Sequence, residues 1–155
     1  MKHLQNLLWP LALLLALVVL GTAGWKARGL LQPRATVTAT TPNCDLQAGP
    51  CAARLADGRG VILTLSPRPV VALQPMRVHV RLVGLRVSRV VIDFTGVNME
   101  MGFNRFVLKP DGAAYAGQAI LPVCTRSRME WRAAVLVQSA DGVLAFPFRF
   151  ATVRP

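Results

Sequence analysis

The segment from Gly96 to Arg105 contains the residues whose types and spacing are best suited to chemistry. Met99 and Met101 are separated by one residue, and alternate side chains of an extended chain point to the same face. In that geometry their two thioether sulfur atoms converge, and thioethers are ligands that select Cu(I). The spacing predicts a Cu(I) site that includes both methionines.

Cys124 and Met129 offer two further sulfur ligands. They flank a polar turn formed by Thr125, Arg126, Ser127 and Arg128. A thiolate and a third thioether would complete a soft-metal site with Met99 and Met101. The alternative interpretation is that the methionines fill one edge of the core, because methionine packs into irregular spaces and no histidine lies nearby in the sequence.

Polar side chains interleave with these methionines. We interpret four of them as an interaction loop that contacts a partner, because binding residues are concentrated on loops: Asn98, Glu100, Asn104 and Arg105. In the alternative to a metal site, the loop from Asn98 to Arg105 contacts a subunit of a membrane complex and no metal is bound.

The sequence offers few groups for catalysis. It contains two histidines, His3 and His79, and His79 is flanked by arginines on the polar face of a predicted strand. A hydrolase of the usual kind needs a general base beside its nucleophile, and the sequence has no glycine-rich phosphate loop. We expect a protein that is not an enzyme.

The net charge of +11 arises from 18 Lys and Arg residues against 7 Asp and Glu residues. Such a balance can indicate a nucleic-acid binder. Here the arginines are scattered singly along predicted strands, and few aromatic residues are available to stack on bases. We expect no nucleic-acid partner and interpret the charge as solvated strand faces, with attraction to anionic lipid or to an acidic partner as the alternative.

An apolar segment without charged residues runs from about Leu4 to Trp25. About 20 such residues in a helix span a bilayer. A signal peptide is the competing interpretation, with Gly21 to Ala23 as a cleavage site, but the apolar run exceeds the usual signal core of about 7 to 15 residues. We favour an uncleaved signal-anchor over residues 1–25, followed by a linker over 26–50 that is rich in Thr, Ala, Pro and Gln.

The orientation of this anchor is contested within the sequence. Lys26, Arg28 and Arg34 follow the helix, and the positive-inside rule would leave the remainder in the cytoplasm. Cys44 and Cys51 are spaced as a local pair, which favours an oxidising compartment. We therefore expect export and a Cys44–Cys51 disulfide, with pairing of either cysteine to Cys124 as the alternative.

Period-two alternation of apolar and polar residues dominates the chain after Cys51. Met76 to Leu82 places four apolar side chains on one face. Asp57-Gly58, Asp111-Gly112 and Asp141-Gly142 separate such runs and suit tight turns. The pattern predicts an all-β domain over 51–155, an immunoglobulin-like antiparallel β-sandwich of about seven strands. The seven predicted strands are Val61–Leu65, Met76–Leu82, Val87–Phe94, Phe103–Leu108, Tyr115–Leu121, Met129–Gln138 and Val143–Thr152.

The last two predicted strands supply most of the expected core. Trp131, Ala133, Val135 and Val137 alternate along one, and the inward set of the other is Leu144, Phe146, Phe148 and Phe150. Tyr115 and Ile120 are also assigned to the core.

Three stretches together resemble a known group of proteins: Met99-Glu100-Met101-Gly102, Gly112 to Gly117 around Tyr115, and Met129-Glu130-Trp131 at the start of a strand. The region from Val61 to Phe150 resembles the membrane-anchored extracytoplasmic proteins related to the YtkA and FixH families. The resemblance implies an immunoglobulin-like domain beside the membrane and, in some members, association with respiratory oxidase assembly or copper handling.

The expected function is that of a non-catalytic accessory protein in the bacterial inner membrane, with a single pass and its β domain in the periplasm. Its expected partners are the cytoplasmic membrane and a respiratory oxidase or its assembly factors. The alternative is a structural protein-interaction domain of a membrane complex with no metal bound.

Overall fold

The computed structural model describes residues 13–25, 37–102, 104–122, 126–140 and 142–153. The chain divides into two compact units, Met1–Arg34 and Ala35–Pro155. In the first unit, residues 13–25 are α-helical. No helix among the described residues combines the length and apolarity required to cross a membrane. Residues 1–12 of the expected anchor lie outside the described part of the chain.

The second unit is all-β, as the alternation predicts. Its described residues form nine strands: β1 Val37–Thr38, β2 Cys51–Arg54, β3 Gly60–Ser66, β4 Pro75–Val83, β5 Arg89–Gly96, β6 Asn104–Asp111, β7 Ala114–Ile120, β8 Arg128–Ser139 and β9 Gly142–Val153. The seven predicted strands correspond to β3 through β9. The structure adds β1 and β2, which lie in or next to the segment expected to be a linker.

The strands follow one hydrogen-bonded order, β1-β9-β8-β5-β6-β7-β4-β3-β2. β1 pairs with β9 in parallel, whereas the other neighbours in this order are antiparallel. β6 changes partner along its length: Asn104 to Leu108 pair with β5, and Lys109 to Asp111 pair with β7. The order therefore has a first strand group (β1, β9, β8, β5) and a second strand group (β7, β4, β3, β2), joined by β6.

Inward side chains of both strand groups form one hydrophobic core. The predicted inward residues of β8 and β9 are all buried, and they are direct cross-strand neighbours, as in the pairs Trp131 with Phe150 and Val135 with Phe146. The indole Nε1–H of Trp131 donates to the hydroxyl of Thr152 at 3.0 Å, so the polar atom of this buried ring is satisfied.

Ile120 was expected in the core, and this expectation was wrong. Its side chain is 47% exposed, whereas Ala119 and Leu121 on either side are buried. Since side chains alternate along a strand, the burial of Ala119 and Leu121 turns Ile120 outward. Tyr115, in contrast, is half-buried and packs against the core.

The connections differ between the two ends of the domain. At one end, which we call the turn end, four connections of two to five residues join β2–β3, β4–β5, β6–β7 and β8–β9. Three of them contain a glycine with positive φ, which residues with a Cβ rarely adopt, and the β8–β9 connection is directly followed by one: Gly58, Gly84, Gly112 and Gly142. At the opposite end, the loop end, the connections 67–74, 97–103 and 121–127 have seven or eight residues.

The first turn of the turn end is stabilised by a charged pair. The carboxylate of Asp57 accepts from the backbone N–H of Arg59 at 3.0 Å and from its Nε at 2.7 Å. The side-chain and backbone hydrogen bonds from Arg59 lower the pKa of Asp57. The predicted Asp-Gly turn is therefore reinforced by the residue that follows it.

Candidate interaction and metal site

The candidate residues lie at the loop end. This end also displays bulky apolar side chains that are exposed to solvent: Leu73 at 61%, Val97 at 39%, Ile120 at 47% and Val153 at 62%. Leu73 has φ of 64°, a left-handed conformation that costs an L-residue roughly 1–2 kcal/mol. Long loops with exposed apolar residues are a common basis of binding surfaces.

At Gly96 the main chain of one predicted metal ligand, Met99, approaches the side chain of another, Met129. A Cβ at this position would collide with the carbonyl oxygen of Met99 and with Cε of Met129. Met129 is only 3% exposed and belongs to the core, and Met99 is half-buried against it. The glycine thus allows the loop after β5 to fold back over the strand and to meet the Met129 side chain.

The extended geometry assumed for Met99 and Met101 is not observed. Residues 97–99 form bends rather than a strand, so strand alternation does not align the two side chains. Both are half-buried and pack against the core edge. Cys124, the fourth predicted ligand, lies outside the described residues. Within the described part, no group of three or more His, Cys, Asp or Glu side chains is placed to hold a metal.

Asn98 binds the protein's own backbone. Its Nδ2 donates to the carbonyl oxygen of Arg128 at 3.5 Å, and its Oδ1 accepts from the N–H of Glu130 at 3.4 Å. Together with the bond from Val97 N–H to the Glu130 carbonyl oxygen at 2.8 Å, these contacts fix the loop to β8. Glu100 is exposed. Among the described residues, no side-chain hydrogen bond to the domain is found for Glu100, in contrast to the other three predicted interaction residues.

Asn104 and Arg105 also contact their own framework. Asn104 Nδ2 donates to the Phe94 carbonyl oxygen at 3.4 Å. Arg105 Nε donates to Oδ2 of Asp93 at 2.8 Å. The Asp93 side chain is 8% exposed, although it projects from the face of β5 opposite to the core residues Ile92 and Phe94. Asp93 was not among the functional residues predicted from the sequence. A single acid among the apolar residues from Val90 to Phe94 does indicate a buried charge, which needs a charged or hydrogen-bonding partner.

The predicted local disulfide is confirmed: Cys44 and Cys51 are bonded, with Cα atoms 5.9 Å apart. The loop that it closes is packed into the domain, because Leu46 is fully buried. Gln47 Nε2 donates to the carbonyl oxygens of Ala151 at 2.7 Å and Val70 at 3.2 Å. Its Oε1 accepts from the Val70 N–H at 2.7 Å. A single side chain therefore links the disulfide loop, the β3–β4 loop and β9.

An open cleft of about 410 Å³ lies beside this loop. Its walls include Cys44, Asp45, Val97, Arg128, Glu130 and Arg149. Its lining includes two arginines and two carboxylates, so its charge is mixed rather than strongly anionic or cationic. The cleft borders the Asn98 contacts and extends the loop-end surface toward the disulfide.

Comparisons with known proteins give little guidance. No protein-family model and no curated protein sequence matches the chain. One solved structure with some similarity is an engineered protein determined by the Northeast Structural Genomics Consortium, with 22% identity and a TM-score of 0.43. The match covers 61% of this chain and 20% of that one. The chain therefore spans about a fifth of the length of that engineered protein.

Proposed function

We propose that the chain is a non-catalytic accessory protein, anchored in the bacterial inner membrane, whose periplasmic domain binds a partner through its loop end. The observation that carries this proposal is the contrast between the two ends of the domain. Short glycine turns close one end, whereas long loops with exposed apolar residues form the other. The predicted methionine and interaction residues lie at the loop end.

The domain is proposed to be an immunoglobulin-like sandwich of the strands β3 to β9. The strand order supports this, because β9-β8-β5 and β3-β4-β7 form two antiparallel groups, and both contribute to one core. A strand that pairs with each group in turn, as β6 does, is compatible with a sandwich whose edge strand changes sheets.

The proposed anchor is the N-terminal apolar segment. In the described helix 13–25, leucine and valine side chains on all sides are more than half exposed, among them Leu13 at 60%, Leu17 at 68% and Leu20 at 69%. A helix that is apolar all round is typical of a membrane span. The Cys44–Cys51 disulfide supports an oxidising compartment for the β domain.

Extraction of membranes with alkaline carbonate tests the anchor. We expect the chain to remain in the pellet, and Leu15→Arg to shift it toward the supernatant, because an arginine at the centre of a span costs about 2.5–3.5 kcal/mol. Val107→Arg, which adds the same charge at a position that is 53% exposed on β6, is the control. Digestion by protease added to cells with a permeabilised outer membrane tests the periplasmic placement.

Assistance with copper handling or with respiratory oxidase assembly is the proposed role of the loop end, with Cu(I) held by Met99, Met101, Cys124 and Met129. Support comes from the place of Met99 and Met129 at the loop end, where the Met99 main chain and the Met129 side chain both approach Gly96, and from the softness of thioether and thiolate ligands. Titration of the detergent-solubilised full chain with Cu(I) against a competing chelator is the test. Met99→Leu with Met101→Leu should weaken binding at least about tenfold, which corresponds to about 1.4 kcal/mol.

Met76→Leu is the matched control, since Met76 is a buried core methionine on β4. Binding no tighter than micromolar, or tight binding that survives the double substitution, would remove copper from the proposal. The alternative would then stand: a structural interaction domain with no metal bound. The almost complete burial of Met129 favours this alternative, because a core side chain is poorly placed to accept an ion from solution.

A further inference from the structure

Leu73 combines two unfavourable properties. It exposes 61% of a large apolar side chain, and its backbone has φ of 64°. A glycine or asparagine would relieve the backbone, and a polar residue would relieve the exposure. The Leu73 N–H donates to the Leu121 carbonyl oxygen at 2.9 Å, so the side chain is held outward by a fixed main chain. Strain of this kind is a reason to look for a contact outside the chain.

Ile120 extends the apolar surface beside Leu73. It precedes Leu121, which accepts the Leu73 hydrogen bond, and it lies opposite Pro75 in the β4–β7 pairing. All three side chains are exposed. We call Leu73, Pro75 and Ile120 the apolar tip.

A row of cations continues from the apolar tip along the outer face of the second strand group. Arg77 lies two residues beyond Pro75 on the same face of β4, with its side chain 68% exposed. Arg81 and Lys109 share this face through their pairings with Ala114 and Ala116. Asp111 is an acid of the same face and lies 3.8 Å from Arg77. We call Arg77, Arg81 and Lys109 the basic row.

We propose that the apolar tip and the basic row dock onto the surface of an anionic phospholipid bilayer. Aliphatic side chains beside a cationic polar surface are the combination that inserts at the boundary between headgroups and acyl chains. Cations near an anionic leaflet are attracted individually, without a dedicated pocket for each. The inference rests on the proposed function in one respect: the proposed membrane anchor is what keeps the domain close to a bilayer.

A bilayer fits this face better than a protein partner does. The basic row is spread along two strands, and the depression that Arg77 and Lys109 line together with Asp111 is open to solvent. A diffuse row of charge matches a diffuse anionic surface, whereas a tight protein contact needs a packed pocket for its central side chain.

Fluorescence of a labelled full chain tests the proposal. In a Cys124→Ser background, Leu73→Cys carries a bimane label, and the protein is reconstituted into vesicles of phosphatidylcholine with or without phosphatidylglycerol. We expect a blue shift and quenching by spin-labelled lipid only with phosphatidylglycerol, and a loss of both in high salt. Ile120→Cys is the second labelling site. Gln138→Cys, at an exposed position of β8 in the first strand group, should show neither response.

Charge reversal tests the basic row. Arg77→Glu with Lys109→Glu should reduce lipid quenching at Leu73→Cys several-fold, and Arg132→Glu with Arg149→Glu on the first strand group should leave it unchanged. Equal quenching at Leu73→Cys and Gln138→Cys, no dependence on phosphatidylglycerol, or equal effects of both reversal pairs would overturn the proposal. A blue shift of the Leu73→Cys label that occurs with native membranes but not with vesicles of purified lipid would indicate that the apolar tip binds a protein. That result would also overturn the proposal.

The anchor and the docking face fail separately. If carbonate extracts the chain, the labelled protein is mixed with preformed vesicles, and a response that depends on phosphatidylglycerol still supports the docking face. If the chain resists carbonate and Leu73→Cys remains unquenched, the docking face is wrong and the proposed anchor stands.

Discussion

Arg105 and Asp93 face each other across β6 and β5, with Arg105 Nε 2.8 Å from Asp93 Oδ2. The Asp93 side chain is 8% exposed, and that of Arg105 is 34% exposed. The second carboxylate oxygen of Asp93 is buried, and no hydrogen-bond partner for it is found among the described residues. The arginine therefore provides a charged contact to an acid that is otherwise poorly solvated.

Removing Arg105 should destabilise the domain. Arg105→Met leaves the Asp93 carboxylate buried without its guanidinium, and we expect the free energy of unfolding to fall by roughly 2–3 kcal/mol. Adding Asp93→Asn should recover part of this loss, because the uncompensated charge disappears. Urea unfolding of both single variants and the double variant measures the coupling. Strictly additive losses would show that the two side chains do not support each other.

Gln47 should stabilise the fold from within the disulfide loop. Gln47→Leu removes the three hydrogen bonds to Val70 and Ala151 and leaves backbone groups to find other partners. At about 1 kcal/mol for each hydrogen bond, we expect a loss of roughly 2–3 kcal/mol in urea unfolding. Gln118→Leu, at an exposed position on β7, is the matched control and should change stability by less than about 0.5 kcal/mol.

Gly96 should not tolerate a side chain. In Gly96→Ala the new methyl group meets the Met99 carbonyl oxygen and Met129 Cε, and we expect a loss of roughly 1–3 kcal/mol from overpacking. Amide hydrogen exchange at Val97, whose N–H is bonded to the Glu130 carbonyl oxygen, should accelerate. The double variant Gly96→Ala with Met129→Ala removes the contact with Met129 Cε. It should not restore slow exchange at Val97, because the new methyl group still collides with the Met99 carbonyl oxygen. Full restoration would locate the conflict at Met129 alone.

Asp57 should titrate at a lower pH than an aspartate without such hydrogen bonds. Because hydrogen bonds from Arg59 lower the pKa of Asp57 in the folded state, the turn is stabilised when the carboxylate is ionised. This contribution is present above the ordinary carboxyl pKa and is lost as the pH falls through the lowered value. NMR titration of the Asp57 carboxyl carbon should show the pKa rising in Arg59→Gln. It should not change in Arg86→Gln, at an exposed position in the neighbouring β4–β5 turn.

The sequence predicted the strands whose side chains differ strongly in polarity. β4 alternates valine with arginine and histidine, and its burial follows that pattern. β2 was missed because Cys51, Ala52 and Ala53 provide little contrast, although Cys51 and Ala53 are buried and Ala52 is exposed. β1 has two residues, which is too short for a period to be visible.

Long-range pairing limited the prediction of the site. The turn signals at Gly58 and Gly112 are local, and both glycines have the expected positive φ. Gln47 binds Val70 and Ala151, which are 23 and 104 residues away, and no short pattern encodes such contacts. The bends at 97–99 accompany the approach of the Met99 carbonyl group to Gly96. The local sequence around the two methionines gives no sign of this approach, so it predicted an extended segment.

The difference between the two ends of the domain also determines where the chain can change in length. A turn of two residues such as that between β8 and β9 sets the pairing of Ser139 with Gly142, and an added residue there would shift the side chains of a whole strand to the opposite face. In the connection 97–103, Val97 and Asn98 are bonded to β8, but residues added after Met99 would leave the strand pairing unchanged. Doubling the length of a loop costs only about 0.6 kcal/mol in closure entropy. New recognition sequences can therefore be grafted at the loop end while the register of all nine strands is retained.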